Sequence, residues 1–204
     1  MIDKICKNLT NKIRKKMPEI NDERAEIIQY GLQLMIGEIP KLILLIIIAI
    51  ILKIGWLVIF AYLTMLPYKI VAGGFHLKTH IGCTIGTFIV YFGNVMISKN
   101  LVLQPIYFKY VVVGLVWIIS IIMISLYAPA DTVNFPILRK EERKLKKILS
   151  YVFASITLIG AIFIKDNTLS NIILINVLIE SLSISKLAYK LTKNQYGYEI
   201  YQKG

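Results

Sequence analysis

Both histidines of this chain, one of its two cysteines and three of its glycines fall within eleven residues, Gly73-Gly74-Phe75-His76-Leu77-Lys78-Thr79-His80-Ile81-Gly82-Cys83. A cysteine with a histidine is the minimum equipment for thiol nucleophilic catalysis. The base takes the S–H proton, and the thiolate attacks a carbonyl carbon. Either residue alone is more often structural, because cysteine is among the most commonly buried side chains. Clustering, the flanking Gly-Gly and the neighbouring Lys78 favour chemistry here.

Two histidines compete for the role of base. On an unbroken helix, His80 lies three residues from Cys83 and shares its face. His76 is seven residues away, aligned in angle but about 10 Å distant along the axis. It can serve Cys83 only if the chain folds back after it, which Gly73 and Gly74 permit. His76, His80 and Cys83 are also metal-ligand types. Their spacing is not that of a zinc finger and no fourth ligand is near, so no metal or other cofactor is expected. A helix beginning near His80 would put Cys83 in its first turn, where unpaired N–H groups and the helix dipole favour an anion. Gly82 would allow a substrate backbone to approach, or a neighbouring helix to pack, as would Gly86.

The elements that must position these residues are apolar. Of 204 residues, 56% are hydrophobic, and the mean hydropathy is +0.66. Soluble domains average about 45–50% apolar, so the fold class is an all-α integral membrane protein. The net charge of +12 suits cytoplasmic loops and anionic lipid. No nucleic-acid-binding motif accompanies it. Cys6 and Cys83 are too few for a disulfide framework. The N-terminus is charged throughout and is not expected to be a cleavable signal peptide.

Residues 1–17 read as an amphipathic helix lying in the membrane interface, with Ile2, Ile5, Cys6, Leu9, Ile13 and Met17 on one face. Pro18 ends it. Asn21 then caps a long helix reaching about Leu52, with Asp22 and Glu23 in its first turn. Lys53-Ile54-Gly55 is read as a turn. One helix running from Leu42 to Leu66 would instead bury Lys53 near the bilayer centre, at about 3 kcal/mol. Further spans are expected at 56–70, 83–97, 106–126, 148–164 and 169–187. With the end of the first long helix this makes about six short transmembrane helices, several near the limit of about 17 residues. Residues 127–147 form a basic loop, and the whole is expected to be a single polytopic domain.

Nineteen basic residues fall on one side of this arrangement. They lie before Ala25, at Lys69 and Lys78, between Arg139 and Lys147, and from Lys186 onward. The other side carries Lys53, Lys99 and Lys165, with Lys109. The positive-inside rule therefore places both termini, the Gly-Gly-His stretch and the basic loop in the cytoplasm. A thiolate survives on that reducing side.

Gly73-Gly74-Phe75-His76, six further residues and Cys83 resemble the signature of the accessory gene regulator B (AgrB) family, membrane cysteine peptidases of bacterial quorum sensing. Tyr127-Ala128-Pro129-Ala130-Asp131-Thr132 with Pro136 is similar to a second family segment. Tyr30-Gly31-Leu32-Gln33, Lys165 and Glu180 also fit. The likeness covers nearly the whole chain. It implies Cys83 as nucleophile and His76, rather than His80, as base, in a multi-pass protein of the bacterial cell membrane. Lys69, Gly73, Gly74, Lys78 and Gly82 are the candidate substrate contacts. Members often carry adjacent basic residues before the Gly-Gly, whereas here Lys69 is followed by Ile70 and Val71.

The resemblance implies cleavage of a small AgrD-like precursor through a Cys thioester, followed by thiolactone or lactone closure. The precursor and membrane lipid are then the partners, a homodimer is left open, and nucleic acid is excluded. The rival class is a non-enzymatic peptide exporter with Glu38 and Glu180 on its pathway; the plainer reading pairs such residues, for instance with Lys41. Asp131 and Asn94 are candidates for a third site residue. The topology has a direct test. A cysteine replacing Lys140 should resist an impermeant thiol reagent added outside intact cells, and labelling there would reverse the assignment.

Overall fold

The computed structural model describes residues 2–17, 19–75, 77, 79–133 and 136–201. Among them the chain is helical, with no strand. It divides into two compact units, Met1–Gly55 and Trp56–Gly204. Pro18, expected to end the first helix, lies outside the described residues.

In the first unit α1 (Ile2–Lys16) packs on α2 (Asp22–Ile51). Asn21 caps α2 as its type predicts, its side chain accepting from Arg24 N at 2.9 Å. Arg14 meets Asp22 at 2.7 Å and ties the two ends together. Cys6 is fully buried, so packing is its structural role. Pro40 is accommodated inside α2. The helix stops at Ile51, Lys53 turns with a φ of 56°, and the next helix starts at Gly55. The break therefore falls where the cost of burying Lys53 placed it.

The second unit holds α3 (Gly55–Ala72), α4 (His80–Asn100), α5 (Ile106–Tyr127), α6 (Lys140–Phe163), α7 (Asn167–Ser183), α8 (Lys186–Leu191) and α9 (Gly197–Tyr201). Four helices among the described residues are long and apolar enough to cross a membrane: α3, α4, α5 from Tyr107, and α6. They correspond to the expected spans at 56–70, 83–97, 106–126 and 148–164. The expected spans at the end of α2 and at 169–187 are not among these four. The basic run also differs from its expected form. Lys140–Lys147 is not loop but the start of α6, where Glu141 and Glu142 complement the positive end of the helix dipole and Glu142 pairs with Lys146 at 2.9 Å.

The centre of this unit is α7, packed against α4, α5 and α6. Its polar side chains explain the position, since each needs a partner that lipid cannot supply. Asn176 Nδ2 donates to Ala61 O and to Thr64 Oγ1 of α3, both at 2.8 Å. Its Oδ1 accepts from Asn94 Nδ2 of α4 at 2.8 Å. Ser170 Oγ donates to Ala161 O of α6 at 2.8 Å. Ser181 Oγ donates to Ser120 Oγ of α5 at 2.9 Å and lies 3.0 Å from Tyr68 OH of α3. The outer faces carry Ile81, Ile85, Ile89, Ile118 and Ile122, all exposed and apolar.

Interhelical hydrogen bonds in membranes average about 0.6 kcal/mol and reach about 1.7 kcal/mol. Asn176→Leu removes three, so a loss of about 1–3 kcal/mol is expected in detergent unfolding. An unchanged midpoint would show that the network is dispensable.

Candidate active site

α3 ends at Ala72 because Gly73 and Gly74 take φ values of 82° and 133°, in a region that side-chain-bearing residues rarely enter. The freed backbone is then paired with Ala130. Ala130 N donates to Ala72 O at 2.8 Å, and Gly74 N donates to Ala130 O at 3.0 Å, forming a parallel bridge. A Cβ on Gly73 would strike the Ala130 carbonyl oxygen. One on Gly74 would come 2.8 Å from Ser183 Oγ. The two sequence segments that looked distinctive, far apart in the chain, are thus one piece of structure.

Beyond the turn, Phe75 packs on the apolar core. Thr79 caps α4, its hydroxyl accepting from Gly82 N at 3.1 Å. The helix begins at His80, so Cys83 does lie in its first turn and is part-buried. Cys83 N donates to Thr79 O at 2.9 Å. The N–H groups of His80 and Ile81 lie at the start of the helix, where the α-helical pattern gives them no intrahelical acceptor. His76 and Lys78 lie outside the described residues. His80 is exposed at the helix start. The missing Cβ of Gly82 would lie 2.8 Å from Thr79 Oγ1 and 3.7 Å from Leu77, neighbours in its own turn. Gly86 likewise makes room for Leu77.

The family described as Accessory gene regulator B matches residues 6–184. This chain belongs to the AgrB family. An AgrB-like protein of Listeria monocytogenes is 26% identical over 184 residues, covering 89% of this chain and 88% of its own length. An AgrB-like protein 2 of Clostridium perfringens is 27% identical over 150 residues, covering 72% and 69%. No solved structure matches the chain. AgrB membership and four membrane-length apolar helices make it a membrane protein. Membership also implies a role in the agr quorum-sensing system and association with an AgrD-type precursor.

Several residues beside the site had only weak signals in the sequence. Glu180 is fully buried in α7, and Lys69 at the end of α3 reaches it at 3.2 Å. Glu180 Oε1 has no hydrogen-bond partner among the described residues and would lie 3.5 Å from a Cβ on Gly74. A carboxylate in an apolar run was the available clue, but the identity of its lysine was not. The geometry gives Lys69 a structural partner in addition to any substrate contact. Glu38 pairs with Lys41 at 2.6 Å, so both carboxylates of the exporter reading already have cations. Asn94 is committed to α7 and to Ser98. It lies eleven residues from Cys83, about 16 Å along the helix, so it cannot orient a group at the thiol. Asp131 is turned into a backbone cluster, its Oδ2 accepting from Ile137 N and Tyr198 N at 2.9 Å each.

Removing one partner of a buried ion pair costs about 3–5 kcal/mol, and Lys69 is 41% exposed, which points to the lower end. Lys69→Met should therefore destabilise the protein in detergent unfolding, and Lys69→Met with Glu180→Met should restore most of the loss. A double variant no more stable than the single one would remove the ion pair from the account.

Proposed function

We propose that this AgrB-family protein is a membrane-embedded cysteine endopeptidase that cleaves an AgrD-type precursor and directs the product to ring closure. Cys83 in the first turn of α4, immediately after a glycine turn locked to the Ala130 segment, is the observation that carries the reading. His76 takes the Cys83 proton, and Sγ attacks the carbonyl carbon of the scissile bond. The first-turn N–H groups of His80 and Ile81 supply donors for the oxyanion. The C–N bond breaks, and His76 returns the proton to the departing amine of the C-terminal tail. A thiol or hydroxyl within the precursor then attacks the Cys83 thioester, forms the thiolactone or lactone, and releases Cys83.

Exchange of a thioester to another thiol is close to neutral in energy, so closure beats hydrolysis only where water is kept out. A site at the end of a membrane bundle meets that condition. The reading includes about six spans, counting the end of α2 and α7 with the four apolar helices. It places α1 in the interface and both termini and the site in the cytoplasm, as the charge distribution indicates. The basic excess suits an acidic precursor tail.

Cys83→Ala and His76→Ala should each lower cleavage by at least about 1000-fold, while Cys6→Ala and His80→Ala retain most of it. Mass spectrometry of the wild type with precursor should show a hydroxylamine-labile adduct equal to the precursor minus its tail. Replacing the internal nucleophile of the precursor by Ala should let that adduct accumulate, because its high effective molarity is lost. Full cleavage by Cys83→Ala would end the peptidase reading and favour an exporter or a different chemistry.

A further inference from the structure

The segment after α7 holds the other half of the glycine turn. Tyr189 OH donates to Ala130 O at 2.9 Å, with Asp131 O at 3.0 Å sharing the proton. Tyr198 N donates to Asp131 Oδ2. Gly197 lies against Thr132, where a Cβ would meet the Thr132 carbonyl oxygen and come 2.9 Å from Pro136. Tyr201 OH reaches Val133 O at 3.4 Å. Four successive residues, 130 to 133, are thus each held from 189–201. Arg143 locks the same cluster from α6. It meets Asp131 Oδ2 at 3.3 Å, Pro129 O at 3.2 Å and the Tyr198 ring at 4.0 Å. The Tyr189 ring is 2% exposed and stacks on Tyr196 at 4.1 Å. Burial raises the Tyr189 phenol well above its ordinary value, so it remains a donor at any physiological pH.

We infer that residues 189–201 are a positioning strap for the peptidase site and that Tyr189 is its positioning residue, acting through Ala130 on the Gly73–Gly74 turn. The inference rests on the cysteine-peptidase reading for its consequence, but not for its geometry. The Ala130 carbonyl has two lone pairs, one taken by Gly74 N and the other by Tyr189 OH. With both filled, its direction is fixed, and so is that of the Gly74 N–H, two residues before His76. Glycines are the residues freest to rotate once such a restraint is lost. A misplacement of about 1 Å costs about 100-fold in rate. The family match ends at residue 184, so the strap lies beyond the part of the chain that the family defines.

The competing account is that this segment only covers the core. Tyr189→Phe separates the two, since it keeps the buried ring and its stacking and removes only the hydroxyl. The full-length variant should lower kcat for acylation by about 10–100-fold, with KM within about twofold. Gly197→Ala should shift kcat in the same direction. Lys186→Ala, which loses only an exposed pair with Glu199 at 3.9 Å, should match the wild type. Amide hydrogen exchange of residues 72–75 in lipid nanodiscs gives a readout independent of turnover, and Tyr189→Phe should speed it at least about tenfold. Unchanged exchange overturns the strap. Faster exchange with an unchanged kcat overturns the positioning role, as does a rise in KM alone. A wild type that forms no Cys83 adduct would instead sink the peptidase reading, and the exchange comparison would still decide whether the strap holds the turn.

Discussion

The backbone pairing of Ala130 with Ala72 and Gly74 is the constraint on which the site depends. A helix that ends inside an apolar bundle leaves carbonyls without partners, and neither lipid nor packed side chains can satisfy them. Here α3 is ended by two glycines, and the groups it frees are met by one residue from the α5–α6 connection. That exchange fixes the direction in which the chain leaves α3. Gly73 must lack a side chain because the Ala130 carbonyl occupies the space, and its φ excludes one in any case.

The scaffold beneath the turn is built on different physics. Lipid tails are as apolar as Leu or Ile, so apolar burial does not by itself drive helix association in a membrane. α7 supplies instead a series of small and polar side chains, each bonded to a neighbouring helix. Ser170 bonds α6, Asn171 and Asn176 bond α4, Asn176 also bonds α3, and Ser181 links α3 with α5. Glu180 extends this series to the glycine turn through Lys69. The helix that holds the bundle together therefore also lies against the glycine turn.

The two devices meet at the turn from opposite sides. Glu180 and Ser183 of α7 lie against Gly74, and Ala130 covers Gly73. Between them Lys69 closes α3, and Phe75 carries the chain back onto the core. A turn of two glycines would be free in isolation. Here the Ala72 carbonyl, Gly73 N and Gly74 N are each hydrogen-bonded, as the proposed site would need if its reacting atoms are to be held to within a fraction of an ångström.

Much was legible before any coordinates. The membrane class, the cap at Asn21, the break at Lys53–Gly55, four of the spans and the start of α4 near His80 follow from local physics, namely apolar run length, capping chemistry and the cost of a buried lysine. The Gly-Gly stretch stood out by composition, and the 127–132 segment only through its likeness to a family segment. What sequence could not decide was everything that depends on two distant residues meeting. Lys140–Lys147 looked like a solvated loop because charge density is ambiguous without the i,i+4 pairing that makes it helix. Glu180 showed as an isolated acid, and only the fold gave it Lys69. Ala130 has no functional group, so nothing in its side chain could mark it. Its role belongs to its backbone, and tertiary structure alone determines which backbone groups come together.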